Sequence, residues 1–229
     1  MTYVKRIICL ANSFKTNGRC IAGREVLVQG YGGWIRPVSE RDTAEVSFSE
    51  YRYEDNQSPK LLDIMDVPLL KPDPKHHQTE NHLIDKSLRW VRVGELPWGT
   101  LPQLRDRPAT LWINSDRTYT EAFNCISQAE AATQHDSLAL IRPETFAVEV
   151  GSSTRDGRTK KTYRGNFRYN GTYYSLSLTD PVACDAFKPK DAGEYPLSDA
   201  YLCVSLTEPY DKDGRCYKLV AAIFTNPPL

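Results

Sequence analysis

The sequence lacks the motifs that mark most nucleotide-dependent and hydrolytic enzymes. It contains no Gly-x-x-x-x-Gly-Lys-Ser/Thr loop and no Gly-x-Gly-x-x-Gly turn, which excludes a P-loop or dinucleotide site of the usual kind. It contains no Gly-x-Ser-x-Gly elbow, and no cysteine has a recognisable histidine partner in the sequence. We therefore assign no catalytic residue and expect a protein that acts by binding.

The cysteines also lack the spacing of a redox or zinc motif. The six of them stand at positions 9, 20, 125, 184, 203 and 216 and form no Cys-x-x-Cys pair. No apolar run approaches membrane-spanning length, and the short run after Lys5-Arg6 does not make a signal peptide. We expect a cytoplasmic chain with reduced thiols and no membrane contact. Cys9 and Cys203 lie in apolar strand patterns and are most simply core residues.

Histidine is scarce, and only one segment spaces it like a metal ligand, namely His76-His77-x-x-Glu80-x-His82. On a helix, residues 76 and 80 would share a face, but the prolines just before them make the start of this segment irregular. No cysteine or aspartate completes a recognised pattern. We therefore predict neither a metal nor another cofactor.

Net charge is absent as well, with 29 Lys and Arg against 29 Asp and Glu, which argues against a protein that coats DNA non-specifically. The balance hides two basic stretches. Residues 1–41 hold seven Lys and Arg against two Glu, and residues 155–168 hold six against one Asp. Acidic stretches at 42–70 and 180–200 restore neutrality. Basic patches on a neutral chain indicate a directed binding surface.

Short strand patterns with Gly, Pro and Asn turns run through the chain, without a regular alternation of strands and helices. This predicts a mainly β protein built from small barrels or sandwiches. Two segments favour helix, Leu101–Arg105 and Thr120–Gln134. We place the division of the chain in the second segment, which gives a β domain at 1–115, a helical connector at 116–136 and a second β domain at 137–229.

The clearest local signal is a β-hairpin between Lys160 and Asp180. Asn170-Gly171 stands between two runs rich in aromatic and β-branched residues, the pattern of a two-residue turn. Such a turn fixes which residues face each other across the strands. The predicted pairs are Tyr169 with Thr172, Arg168 with Tyr173, Phe167 with Tyr174, Asn166 with Ser175 and Arg164 with Ser177.

Alternation along the strands then separates a core face from a polar one. The core face comprises Tyr163, Phe167, Tyr169, Tyr174, Leu176 and Leu178. What we call the polar face comprises Thr162, Arg164, Asn166, Arg168, Tyr173, Ser175 and Ser177. A cationic sheet face with an aromatic ring suits a polyanion with stackable bases. The nucleic-acid contacts predicted here are Arg158, Lys160, Lys161, Arg164, Arg168 and Tyr173. The alternative is an outer sheet face that meets only solvent.

The N-terminal part offers a second candidate surface. A strand pattern runs into a loop with Asn, Ser, Lys and Arg side chains, which suits phosphate or sugar recognition, although a purely structural loop fits the same residues. Lys15 and Arg19 are the predicted contacts in it. Trp34 and Arg36 lie two apart on a strand, so both would share a face able to stack a base. Alternatively, Trp34 is a core residue and Arg36 reaches the rim of a barrel.

Segments at both ends of the chain resemble the dual OB-domain proteins of prokaryotes. The segments that carry the resemblance are Lys5–Ser13, Gly18–Gly23, Gly33–Ser39, Leu202–Pro209 and Cys216–Ile223. It implies two small OB-like antiparallel barrels with an interposed helix. It also implies an association with mobile elements and anti-phage conflict systems, and a role in binding nucleic acid.

The residues and the resemblance together predict a non-enzymatic nucleic-acid-binding or sensing module in a prokaryotic defence or mobile-element system. We expect it to favour single-stranded or unusual nucleic acid, DNA or RNA. One alternative is a protein-interaction adaptor in a multi-protein defence complex, since aromatic residues and arginine are also common at protein interfaces. Another is a sensor of a small nucleotide ligand, with its site in the loop from Asn12 to Arg19.

Overall fold

The structure is a computed structural model, and it describes residues 1–118, 122–155 and 157–229. The chain forms two compact units. The first contains Met1–Arg105 with His135–Ser137, and the second contains Asp106–Gln134 with Leu138–Leu229. The domain ranges proposed from the sequence, 1–115, 116–136 and 137–229, remain a prediction.

Strands dominate the first unit, as the sequence predicts. They are β1 (Tyr3–Lys15), β2 (Gly18–Val26), β3 (Tyr31–Val38), β4 (Asp63–Pro72), β5 (Asn81–Ile84) and β6 (Val91–Glu95). A one-turn helix, α1 (Phe48–Tyr51), lies between β3 and β4, and a 3-10 helix spans Trp98–Leu104.

The first five of these strands close into a barrel. Their order is β1-β2-β3-β5-β4, and β1 also pairs with β4, while β6 extends the sheet from β4. A register shift between Cys9 and Ala11 interrupts β1, whose first half pairs with β4 and whose second half pairs with β2. Such a bulge bends a strand, and the bend lets one strand close the ring. A closed five-stranded barrel of this kind is the OB architecture.

The second unit is also mainly β. Its strands are β7 (Cys125–Ser127), β8 (Leu138–Ile141), β9 (Thr145–Arg155), β10 (Arg158–Tyr169), β11 (Thr172–Leu178), β12 (Gly193–Pro196), β13 (Tyr201–Leu206) and β14 (Arg215–Phe224). Its helices are α2 (Gln128–Ala131) and α3 (Pro181–Phe187).

The strand path of the second unit repeats that of the first. The consecutive strands β9, β10 and β11 form an antiparallel meander, β11 pairs in parallel with β14, and β14 pairs antiparallel with β13. The order β9-β10-β11-β14-β13 thus matches β1-β2-β3-β5-β4, with a parallel pair at the same place and a helix after the third strand. The prediction of two OB-like units in a mainly β chain is confirmed.

The hairpin of β10 and β11 has the predicted register. All the predicted pairs occur, from Arg164 with Ser177 to Tyr169 with Thr172. Asn170 and Gly171 have φ of 47° and 74°, as a two-residue turn of this type requires. The core face is confirmed too. Five of its six side chains are buried, and Tyr163 packs against them partly buried.

The helical stretch in the middle of the chain is shorter than the sequence predicts. In place of a helix over 120–134, the structure has the strand Cys125–Ser127 and the single turn Gln128–Ala131. The start of that prediction, at residues 120 and 121, lies outside the described residues. Ser127 ends the strand because its side chain accepts a hydrogen bond from the Glu130 backbone and caps the turn.

Replacement of Phe167 by Ala tests the core face. Phe167 is buried and stacks on Tyr174 with the ring centroids 5.3 Å apart. The cavity left by its ring should lower the free energy of unfolding by roughly 3–5 kcal/mol, measured by urea denaturation. Val182→Ala, which shortens an exposed side chain in the same unit, should change it by about 0.5 kcal/mol or less. A Phe167→Ala protein as stable as the control would contradict this core.

A buried lysine lies in the second unit where the sequence gives no sign of one. Lys218 is 1% exposed, and its Nζ donates hydrogen bonds to Ile113 O at 2.9 Å and to Asn114 Oδ1 at 3.0 Å. Burial lowers the pKa of Lys218 to about 7, although Cys125 and Glu130 oppose that change. The side chain fastens the segment around Asn114 to strand β14.

The lowered pKa of Lys218 predicts a pH dependence of stability. Between pH 7 and 8.5 the folded protein binds fewer protons at this residue than the unfolded chain, whose lysines titrate near 10.4. The free energy of unfolding should therefore rise with pH in this window by about 1 kcal/mol per pH unit. Lys218→Met removes the titrating group and should flatten that slope. Equal slopes in urea titrations of the two proteins would contradict a lowered pKa.

Candidate nucleic-acid interface

The polar face is the outer surface of β10 and β11, and its exposure varies along the strands. Tyr173 is 41% exposed, and its cross-strand partner Arg168 is exposed beside it. Asn166 and Ser175, the next pair along the ladder, are buried. The exposed aromatic ring and the exposed guanidinium therefore form one pair near the hairpin turn.

The two arginines of this face are held in different ways. Arg164 donates from Nε to Ser175 Oγ at 2.8 Å and from Nη2 to the Ser175 carbonyl oxygen. Arg168 donates from Nη1 to Gly171 O at 3.3 Å, close to the turn. Arg164 is thus fixed and half-buried, whereas Arg168 keeps most of its guanidinium in solvent.

The face also carries two carboxylates that the sequence reasoning missed. Glu149 of β9 pairs across the sheet with Arg164, and Glu194 of β12 pairs with Glu149, so all three share a face. Asn166 Nδ2 donates to Glu149 Oε2 at 2.9 Å and to Glu194 Oε1 at 3.1 Å. Strand alternation in the sequence predicts that Glu149 faces outward. Its pairing with β12 cannot be predicted in this way, because that strand lies about 45 residues later.

Tyr173 lies on β11 next to the arginines of β10, and the two carboxylates lie beyond them on β9 and β12. Partial burial raises the pKa of its phenol above the ordinary value, and Glu194 and Glu149 raise it further. Arg164 and Arg168 act in the opposite direction. The phenol therefore stays protonated and neutral at physiological pH.

Beyond the barrel, β9 and β10 continue as a two-stranded extension, which we call the basic ribbon (residues 151–161). Its described side chains are exposed except at Gly151, which is half-buried. By strand alternation, Arg158 and Lys160 continue the polar face. Lys161 points to the other side, where Nζ donates to Lys188 O at 2.8 Å and to Lys190 O at 2.6 Å.

In the first unit, Lys15 and Arg19 lie at the end of the β1–β2 hairpin. Arg19 pairs with Phe14 across the strands, and its guanidinium lies 4.5 Å from the centroid of that exposed ring. Lys15 pairs with Gly18 next to the turn. The loop proposed for phosphate recognition is thus mostly strand, with a tight turn at Thr16 and Asn17.

Trp34 and Arg36 do not act together as the sequence suggested. Trp34 is half-buried and pairs across the sheet with Arg24, whose guanidinium lies 5.0 Å from the indole centroid. Arg36 is 3% exposed, and it forms an ion pair with Glu80 at 3.1 Å and a hydrogen bond to Ser137 at 2.8 Å. Since Arg36 is enclosed, it offers no surface to a nucleic acid, and we leave it out of the interface.

The histidine segment does not assemble a metal site. Glu80 pairs with Arg36, and His82 Nδ1 lies 2.6 Å from the hydroxyl of Tyr3, where burial lowers the pKa of the imidazole. Within residues 1–118, 122–155 and 157–229, no group of three or more His, Cys, Asp or Glu side chains is placed to hold a metal.

No helix in the described parts of the chain is both long and apolar enough to cross a bilayer.

Of the predicted contacts, the structure brings Arg158, Lys160, Arg164, Arg168 and Tyr173 to one side of the second unit. Lys161 extends from the same ribbon toward its other side. Lys15 and Arg19 lie together at one hairpin of the first unit, and Trp34 lies on another strand of that unit.

Comparison with known proteins places this architecture in a family. The solved structures that resemble the chain include one from "Structure and Conformational Change of a Replication Protein A Heterotrimer Bound to ssDNA", with 11% identity and a TM-score of 0.36. That match covers 100% of this chain and 49% of the other, so the present chain spans about half its length. No curated protein matches the sequence. The family model described as a dual OB-containing domain matches residues 5–223, and the chain therefore belongs to the dual OB-containing domain family.

Proposed function

We propose that this chain is a non-enzymatic module that binds nucleic acid, with a preference for single strands, through the polar face and basic ribbon of its second unit. The observation that carries the proposal is the exposed pair of Tyr173 and Arg168, with Arg158 and Lys160 continuing the same side. Proteins that bind single strands commonly combine an aromatic ring, which stacks a base, with cations that contact phosphates.

The position of this surface in the fold supports the proposal. OB folds bind oligonucleotides on the face of their second and third strands and on the adjoining loops. In the second unit those strands are β10 and β11, which carry the polar face. The connection between the first and second strands is the end of the basic ribbon. The surface whose side chains suit nucleic acid is therefore the same surface that OB folds use to bind oligonucleotides.

The residues of this surface would make different contacts with a bound strand. Tyr173 would stack one base, which contributes about 1–3 kcal/mol. Arg168, Arg158 and Lys160 would contact phosphates, and each contact adds affinity that falls as salt rises. Arg164 keeps its guanidinium on Ser175 and adds positive charge, while Lys161 stabilises the base of the ribbon through the carbonyl groups it binds.

The first unit offers a further contact surface within the same proposal. Arg24 and Trp34 pair across β2 and β3, the strands that correspond to β10 and β11. Lys15 and Arg19 lie at the connection between its first two strands, as the basic ribbon does in the second unit. We include Lys15, Arg19 and Trp34 as secondary contacts.

The cellular setting is part of the proposal. The family resemblance suggests a prokaryotic mobile-element or defence system, and we place the protein in the cytoplasm as a binding module without catalytic activity. Whether its partner is DNA or RNA is a question for the measurement below. A protein-adaptor role becomes the better explanation if no nucleic acid binds.

The double variant Arg168→Ser, Tyr173→Ser tests the proposed surface. Its affinity for a fluorescent single-stranded oligonucleotide, measured by anisotropy, should fall at least about fivefold through the loss of one stacking platform. The slope of log affinity against log salt should flatten by about 0.7, because one phosphate contact is lost. Since both residues are exposed, the free energy of unfolding should change by only about 0.5 kcal/mol per site.

A control is available in the same unit. Arg142→Ser, Val182→Ser removes an arginine and an apolar side chain from exposed positions off the polar face and off the β13–β14 loop. In the wild type, Arg142 pairs with Asp199. This variant should bind like the wild type. If both double variants bind equally well, the polar face is only an outer sheet surface. If the wild-type protein binds neither DNA nor RNA at low salt, the proposed function is wrong.

A further inference from the structure

The polar face brings two carboxylates together. Glu149 and Glu194 lie directly opposite each other on neighbouring strands, an arrangement in which like charges destabilise a sheet. The Asn166 amide bridges them by donating to one oxygen of each. This amide, together with Arg164 opposite Glu149 on β10, offsets part of the repulsion between the two carboxylates. A ligand that brings more N–H donors would relieve the rest.

The bridging residue carries a second irregularity. Asn166 is 8% exposed, and its Oδ1 is buried without a hydrogen-bond partner. Buried polar atoms without partners are uncommon in folded proteins, and each asks for an explanation. Departures from local rules concentrate where a protein binds or reacts. The paired carboxylates and the unpartnered oxygen are two such departures, and both involve the Asn166 amide. This amide lies on the same face as the exposed ring of Tyr173.

The free oxygens of the pair define the ligand chemistry. Glu149 Oε1 and Glu194 Oε2 accept no hydrogen bond from the described residues. Carboxylates repel phosphates, so the phosphates of a bound strand would contact Arg168 and the basic ribbon, which lie on either side of the carboxylates along the strands. What can approach the carboxylates is the edge of a base that presents N–H donors.

We propose that Glu149 and Glu194 read the Watson–Crick edge of a base stacked on Tyr173, and that they select guanine. This inference rests on the proposed function. Guanine presents N1–H and the N2 amino group side by side, so one base can donate to the free oxygens of both glutamates. Cytosine and adenine present one amino group beside an acceptor nitrogen. Thymine and uracil present one N–H between two carbonyl oxygens, which a carboxylate repels.

The test compares two oligonucleotides and measures selectivity. One is a dT strand of about 12 nucleotides, within the range that a single OB fold occupies, and the other carries isolated dG residues in the same background. The wild-type protein should bind the dG-containing strand about tenfold more tightly, the discrimination expected of a good bidentate contact. Anisotropy titrations at one fixed salt concentration supply both affinities.

Neutral variants then separate selectivity from general affinity. Glu149→Gln and Glu194→Gln keep the side-chain shape and remove one negative charge each. Each should bind the dT strand at least as tightly as the wild type, because repulsion of phosphates falls, and each should lose most of the preference for dG. Asp185→Asn removes the same charge from an exposed position in helix α3, and it should keep the preference.

The outcomes distinguish the two proposals. If the wild type binds neither strand, the proposed function fails and this inference fails with it. If it binds both strands equally, or if both glutamine variants keep the dG preference, the carboxylates do not read a base, although the binding function stands. Glu194 is exposed at a sheet edge, so its variant keeps the test decisive even if Glu149→Gln folds poorly.

Discussion

The single register of β10 against β11 is the constraint on which the second unit depends. Asn170 and Gly171 join the strands in two residues, and side chains alternate from there. This register sends Phe167 into the core and Arg168 into solvent. A slip by one residue would exchange the faces, bury the cations and expose the aromatic core. The hydrophobic pattern and the turn therefore favour the same register. The candidate interface follows directly from this agreement.

The cations of the chain fall into two groups that composition does not separate. Arg36 and Lys218 are enclosed and bound to oxygen atoms of the protein, where each serves the fold. Arg168 and Lys160 both lie on β10, on its polar face, and they remain exposed. Burial makes the difference, because a cation that has given up water must find its partners within the protein. Only exposed cations can exchange solvent for phosphate.

The two units repeat one strand path, and each places an arginine beside an aromatic ring across its second and third strands. In the first unit the pair is Arg24 and Trp34, and in the second it is Arg168 and Tyr173. The arginines of β10 lie beside the exposed ring of the second pair, and the carboxylates of β9 and β12 lie beyond them. Such a ring suits a ligand with a charged backbone and a hydrogen-bonding edge, which describes a nucleotide chain more closely than a uniform polyanion.

Local sequence determined the β class, the hairpin turn, the strand register and the identity of both hairpin faces. These follow from contacts between residues fewer than about 20 positions apart, through turn geometry and alternation. Tertiary structure alone decided that Glu194 stands opposite Glu149, that Arg36 is buried beside Glu80, and that the helical pattern near Gln128 yields one turn. Each depends on which distant strands pair and which side chains they enclose. Since pairing between distant strands is chosen by the packing of the whole unit, no short stretch of sequence contains it.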